Sequence, residues 1–230
     1  MAMGAPMGMT ILQRTTTMSI NIHMTRHTEH ILTLTQWLSP AYPVGAFAYS
    51  HGLEWAVESQ QVSSHDSLKS WMKTLLRFGA GKADALFLAA AYRADDPSDI
   101  DMTARAFSAS SERLKETVLQ GEAFARTTAD IWQMSVPSLT YPVAIGRAAR
   151  LKGLPLDLTL AMYLHAFVSN ITGAGMRLVP LGQTEGQSLI KLMAPLCIEI
   201  AQSAEAGNLD DLSSTAFMGD IASMKHETQY

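Results

Sequence analysis

The chain has 230 residues, of which 47% are hydrophobic and 17% charged, enough apolar content for one buried core and too much for a disordered chain. Its formal charge of −4 leaves no basic footprint for nucleic acid. A single cysteine, Cys197, excludes an internal disulfide framework and suits a reducing, cytoplasmic setting. No membrane-spanning stretch is expected either, since the most apolar long segment, Leu154 to Ile171, carries Asp157 and His165.

The first 28 residues are rich in Met and Thr and lack the continuous apolar run of a signal peptide. Their internal methionines suggest an over-extended start, so residues 1–28 are expected to form a poorly ordered extension. A helical core over 29–206 and a linker with a C-terminal docking segment over 207–230 follow. His23, His27 and His30 stand at i, i+4, i+7 spacing, one helix face that suits a divalent ion. They make a helical metal-binding protein the alternative functional reading, although no metal site is expected to be physiological here.

Next comes PAYPVGAFAYSHGLE, residues 40–54, whose Ala48-Tyr-Ser50-His-Gly52 imitates a nucleophile elbow. An elbow needs a strand feeding the serine, and Pro40, Pro43 and Gly45 break rather than extend a strand. The expected role of Ser50 is instead to cap the helix carrying Leu53, Trp55 and Val57.

Helical periodicity dominates from Ser64 onward. Leu68, Trp71, Met72, Leu75, Leu76, Leu86 and Phe87 form one stripe, with a weak point at Gly79-Ala-Gly81. That glycine pair lacks the spacing and the Ser or Thr of a phosphate loop and reads as a bend or a close-packing point. Leu114, Val118, Gly121, Ala125, Ala129 and Trp132 make a second stripe. Leu156, Leu160, Tyr163, Leu164, Phe167 and Ile171 make a third, in which His165 is expected to be a hydrogen-bonded core histidine. Leu189, Leu192, Met193, Leu196 and Ile200 make the fourth. No run alternates with period two, so the predicted fold is all-α, a single helical domain of eight to ten helices with loose termini.

Two later stretches are unusual. Ser169 to Gln187 joins small residues to Arg177, a Pro180-Leu-Gly182 break and a fresh helix start. Asp220 to Tyr230 mixes apolar and charged residues after the Gly207–Ser214 linker, in the manner of a docking segment.

Together these stretches carry a resemblance to the UreF-type urease accessory proteins. The family's P-x-G-(A/G)-F-x-Y-S-x-G-L-E segment is matched by Pro43 to Glu54, its S-N…R-L-x-P-L-G-Q-T-x-G-Q segment by Ser169 to Gln187, and its D-I-x-S-M-x-H-E-T-Q-Y segment by Asp220 to Tyr230. The similarity runs from about Ile31 to the last residue. The resemblance implies a non-enzymatic, homodimeric helical adaptor in the cytoplasm. It joins the UreD (or UreH) scaffold to the GTPase UreG on apo-urease and regulates GTP-dependent nickel insertion. Nickel and GTP are handled by the partners, with no cofactor on this chain. The partner-binding residues it implies are Pro43, Gly45, Phe47, Tyr49, Ser50, His51 and Glu54, then Arg177, Pro180, Gly182, Gln183 and Gln187, then Asp220, Met224, His226, Glu227 and Tyr230. The first two groups are expected to build the dimer or GTPase-facing surface and the third the scaffold-facing one. The family pattern continues past H-E-T-Q-Y into a short basic and aromatic end, so a chain stopping at Tyr230 is expected to hold the scaffold more weakly.

Overall fold

A computed structural model describes residues 11–45 and 50–227, with side chains from Met24 onward. Among these residues there are ten α-helices and no strand, as the periodicity predicts. In chain order they are α1 (Ile11–Trp37), α2 (Leu53–Glu58), α3 (His65–Phe78), α4 (Ala80–Arg93), α5 (Ser98–Ala106), α6 (Ser111–Trp132), α7 (Tyr141–Lys152), α8 (Leu156–Leu178), α9 (Gln183–Ala206) and α10 (Phe217–His226). A 3-10 turn, Leu209–Asp211, lies in the linker before α10. The first helix is continuous across Glu29, so the backbone is already helical on the N-terminal side of the boundary expected there.

An apolar helix, α4, packs on α3, α5, α7, α8 and α9. Its run of Ala85, Leu86, Phe87, Leu88, Ala89 and Ala91 is buried all round, as a central helix requires. Small residues let neighbours approach: a Cβ on Gly146 of α7 would stand 2.3 Å from the carbonyl oxygen of Leu88. The glycine pair at 79–81 is a helix boundary rather than a bend, because Gly79 ends α3 and begins α4 with φ −133° and ψ −141°. α8 and α9 form an adjacent pair joined by Val179 to Gly182, where the Gly182 amide donates to Glu185 Oε2 at 2.8 Å. An aromatic cluster anchors the C-terminal end of α1, with Trp37 edge-on to Phe124 at 5.3 Å and to Trp132 at 5.6 Å.

The first and third stripes are core as expected, whereas the second is rotated. The inward face of α6 is Glu116, Thr117, Gln120, Gly121, Phe124, Ala125 and Thr128, and Leu114, Val118, Ala129 and Trp132 lie at its margins. Polar residues hold the interior there because each finds a partner: Thr117 Oγ1 accepts from the Tyr141 amide, and Thr128 pairs with the Tyr42 hydroxyl at 2.8 Å. Leu192 of the fourth stripe is 52% exposed, on the outer face of α9. His165 is exposed as well and is not a core histidine.

Candidate partner-binding surface

The segment after α1 folds back through a tight turn, with the Tyr42 amide donating to the Ser39 carbonyl and the Val44 amide to that of Tyr42. Pro43 and Gly45 are exposed. Gly45 has φ +74° with nothing near its missing Cβ, so its glycine serves conformation rather than space. Phe47 and Tyr49 lie outside the described residues. Beyond them Ser50 is buried, His51 adopts φ +55° and Gly52 φ +74°, and α2 begins. The N-cap position is Gly52 and carries no side-chain cap bond, so Ser50 does not cap α2 as expected. The reason is steric: the backbone must pass through two left-handed residues to bring Gly52 against α10, which carries the N-cap position past the serine. Among the described residues before Ser50 there is no strand of the kind a nucleophile elbow needs, residues 46–49 lying outside them.

His51 leads into the interior. Its ring lies against Phe167 at 4.6 Å, and burial depresses its pKa to about 3, helped by the Arg113 guanidinium and opposed by Asp84. Beside it is a polar cluster drawn from three helices. Arg113 of α6 bonds Asp84 of α4 at 2.8 Å and Glu116 at 3.0 Å; the Tyr163 hydroxyl of α8 donates to Asp84 at 2.9 Å, and Gln120 donates to Glu116 at 3.2 Å. Burial raises the carboxyl pKa of both Asp84 and Glu116, with Arg113 opposing the rise in each case. Two acids thus share one guanidinium. A cavity of about 40 Å³ touches this cluster and the His51 ring. Sequence reasoning missed the cluster, although its signal was visible: Asp84 is a lone acid within the apolar run Ala83 to Ala91.

The C-terminal motif packs on the N-terminal one. A Cβ on Gly52 would stand 2.6 Å from the Ser223 nitrogen, and Ser223 bonds Ser110 hydroxyl to hydroxyl at 2.7 Å. His226 reaches both helices next to it, with Nδ1 2.8 Å from Glu112 Oε2 and Nε2 3.9 Å from Glu54 Oε2. Glu227 accepts the Glu112 amide at 3.0 Å, at the N-terminus of α6, and this bonding lowers its pKa. Asp220 is half-buried and bonds Ser214. Glu54, Asp220 and His226, all half-buried, therefore face the protein itself, whereas Glu227 is exposed though tied to the start of α6. Outward from α10 point Phe217 (66% exposed), Met218, Ile221 and Met224, four large apolar side chains of which three follow i, i+4, i+7 spacing.

The middle motif forms a second corner. Arg177, in the last turn of α8, is exposed together with Pro180, Gly182, Gln183 and Gln187. Arg177 lies ten residues beyond Phe167 on the same helix, about 15 Å along its axis at 1.5 Å per residue. The structure thus brings the first and third motifs together, and the Arg177 corner stands apart from them. Tyr230 lies outside the described residues, as does the side chain of His23; His27 is exposed and His30 half-buried on α1. Among the described residues no group of three or more His, Cys, Asp or Glu side chains is placed to hold a metal ion, and no helix is long and apolar enough to cross a membrane.

Among the described residues the fold is all-helical, and its first and last motifs pack on one another. The UreF family model matches residues 62–194. The chain is 58% identical over 205 residues to a protein of Ruegeria pomeroyi called urease accessory protein UreF, covering 88% of this chain and 94% of that one. Proteins of the same description from Roseobacter denitrificans and Rhodopseudomonas palustris are 49% and 45% identical; the matches cover 92% and 86% of this chain and 97% and 87% of theirs. The chain belongs to the UreF family.

Proposed function

We propose that this protein serves urease maturation as an adaptor, joining the UreD (or UreH) scaffold to the GTPase UreG and regulating GTP-dependent nickel delivery to apo-urease. It works in the cytoplasm as a homodimer and performs no chemistry of its own; nickel and GTP stay with the partners. Membership of a family whose members are called urease accessory proteins supports the process. The observation that carries the adaptor role is the outer face of α10. Phe217, Ile221 and Met224 are held at 66%, 41% and 51% exposure although they fall on one helical stripe. Aromatic and Met side chains grouped at a rim of polar residues are the composition of a contact surface. The scaffold is assigned to this face, and the GTPase to the corner where Arg177, Pro180, Gln183 and Gln187 are exposed, since arginine is enriched among residues that dominate interfaces.

Co-purification tests the reading. Ile221→Asp should lose UreD while keeping UreG, and Arg177→Ala should do the reverse. Retention of both partners by both variants would reject it.

A further inference from the structure

Beside the first motif the interior carries more hydrogen-bonding capacity than the protein itself satisfies. The cavity of about 40 Å³ is walled by His51, Asp84, Arg113, Glu116, Gln120 and Tyr141. The Tyr141 ring packs on Phe124 and Tyr163 at 6.1 and 5.8 Å, and burial pushes its hydroxyl above the ordinary tyrosine range. Among the described residues that hydroxyl makes no hydrogen bond within the protein, and neither does a ring nitrogen of His51. Gln120 donates its amide nitrogen to Glu116 Oε1 at 3.2 Å and keeps its carbonyl oxygen in reserve. Enclosed polar atoms with no partner are confined, among the described residues, to Trp37, Glu54, Trp71 and Thr140. The spare atoms of His51, Gln120 and Tyr141 are therefore not sealed in; they open onto the cavity they line.

Charge adds a second demand. Asp84 and Glu116 share one guanidinium, and a single cation does not fully offset two enclosed carboxylates. His51 supplies no second cation, since burial holds its pKa at about 3; the neutral ring offers one N–H and one lone pair. What fits here must be small and must both donate and accept. Among the described residues no three acidic, thiol or imidazole groups are placed to hold a metal ion, and two carboxylates repel an anion. Water meets the requirement. At about 10–15 Å³ for each molecule, the cavity admits about three.

We infer that this cavity is a hydration site, in which a small cluster of bound water bridges the His51 ring of the first motif to the Tyr141 hydroxyl of α7 and to the Asp84–Arg113–Glu116 cluster of α4 and α6. The first motif is thereby tied to the core through water, in addition to the fit of Gly52 against α10. Water that bridges buried polar groups in this way is part of the structure and costly to remove. The site stands apart from the adaptor assignments, because it concerns how the motif is held and no partner takes part.

Crystallography of the isolated chain, at a resolution that shows ordered water, tests occupancy. Water is expected within hydrogen-bonding distance of Tyr141 Oη and of a His51 ring nitrogen. Tyr141→Phe tests whether that water holds anything, because the sign of its effect depends on what the cavity contains. A hydroxyl facing a dry cavity costs stability, so its removal would raise the urea midpoint or leave it unchanged. A hydroxyl bonded to held water contributes instead. Its removal should lower the midpoint by about 0.3 M at equal protein concentration, the loss of one net hydrogen bond. A cavity without ordered water, a buffer ion in its place, or a midpoint that does not fall would each overturn the inference. Should the variant not fold, the wild-type density decides alone.

Discussion

The missing side chain of Gly52 is what admits the backbone of Ser223: a Cβ there would stand 2.6 Å from the Ser223 nitrogen and 2.7 Å from the Ala222 carbonyl carbon. Two segments 170 positions apart in the chain are fitted to one another at this point, which explains why the glycine of the first motif and the small residues of the last occur together.

Gly52→Ala therefore meets two penalties, a left-handed φ of +74° and a contact with rigid backbone. The first costs about 1–2 kcal/mol and the second about 1–3 kcal/mol. Gly45→Ala shares the positive φ but has open space around it, so only the smaller penalty applies. Urea denaturation of the two variants should show Gly52→Ala losing the more stability, with α10 exchanging freely in it alone.

The buried acids set a pH dependence. Folding raises the carboxyl pKa of Asp84 and Glu116 through burial, so the protein binds their protons more tightly than the unfolded chain does. Their contribution is fully present below the unfolded carboxylate range of about 4 and is lost as pH rises through the folded values. Asp84→Asn removes one of the two titrations and leaves Arg113 paired with Glu116 alone. Its stability relative to wild type should accordingly improve as pH rises from about 4 toward neutrality. Arg113→Leu does the opposite, stranding two enclosed carboxylates at a cost of about 3–5 kcal/mol at neutral pH. Denaturation midpoints measured across pH on both variants check the pair of expectations.

Arg177 is placed to separate binding from folding. Exposed in the last turn of α8, it should be dispensable for stability, and Arg177→Ala should leave the melting temperature within about 1 °C. Loss of an interface arginine commonly costs about 2 kcal/mol or more, roughly thirtyfold in affinity. A UreG titration and a thermal melt on the same variant distinguish a contact residue from an internal brace.

The architecture was legible because its signal is local. Leu68 to Leu76 and Leu156 to Ile171 repeat at helical spacing, and the helices form where the pattern says. The α6 face was not legible, since Thr117 and Thr128 are held inside by partners on α7 and the Tyr42 turn, and Glu116 and Gln120 by an Arg113 that is itself tied to Asp84 of α4, which no periodicity can show. The same holds for the site. The motif residues were visible as a list, but not that His226 turns inward to α2 and α6, leaving Phe217, Ile221 and Met224 as the outward face. Ser50 was read as a cap because Ser before a helix ordinarily is one; the contact between Gly52 and Ser223 overrode that preference.

The adaptor reading is most directly tested by titrating UreD against wild-type protein and the Met224→Asp variant, with a thermal melt of each. Met224 is 51% exposed on a helix held through its opposite face, so an aspartate there should leave the melting temperature unchanged. If the α10 stripe is the scaffold-facing surface, affinity for UreD should fall at least about thirtyfold, as expected when a charge enters a desolvated apolar contact. Undiminished UreD affinity in a variant that folds normally would contradict it.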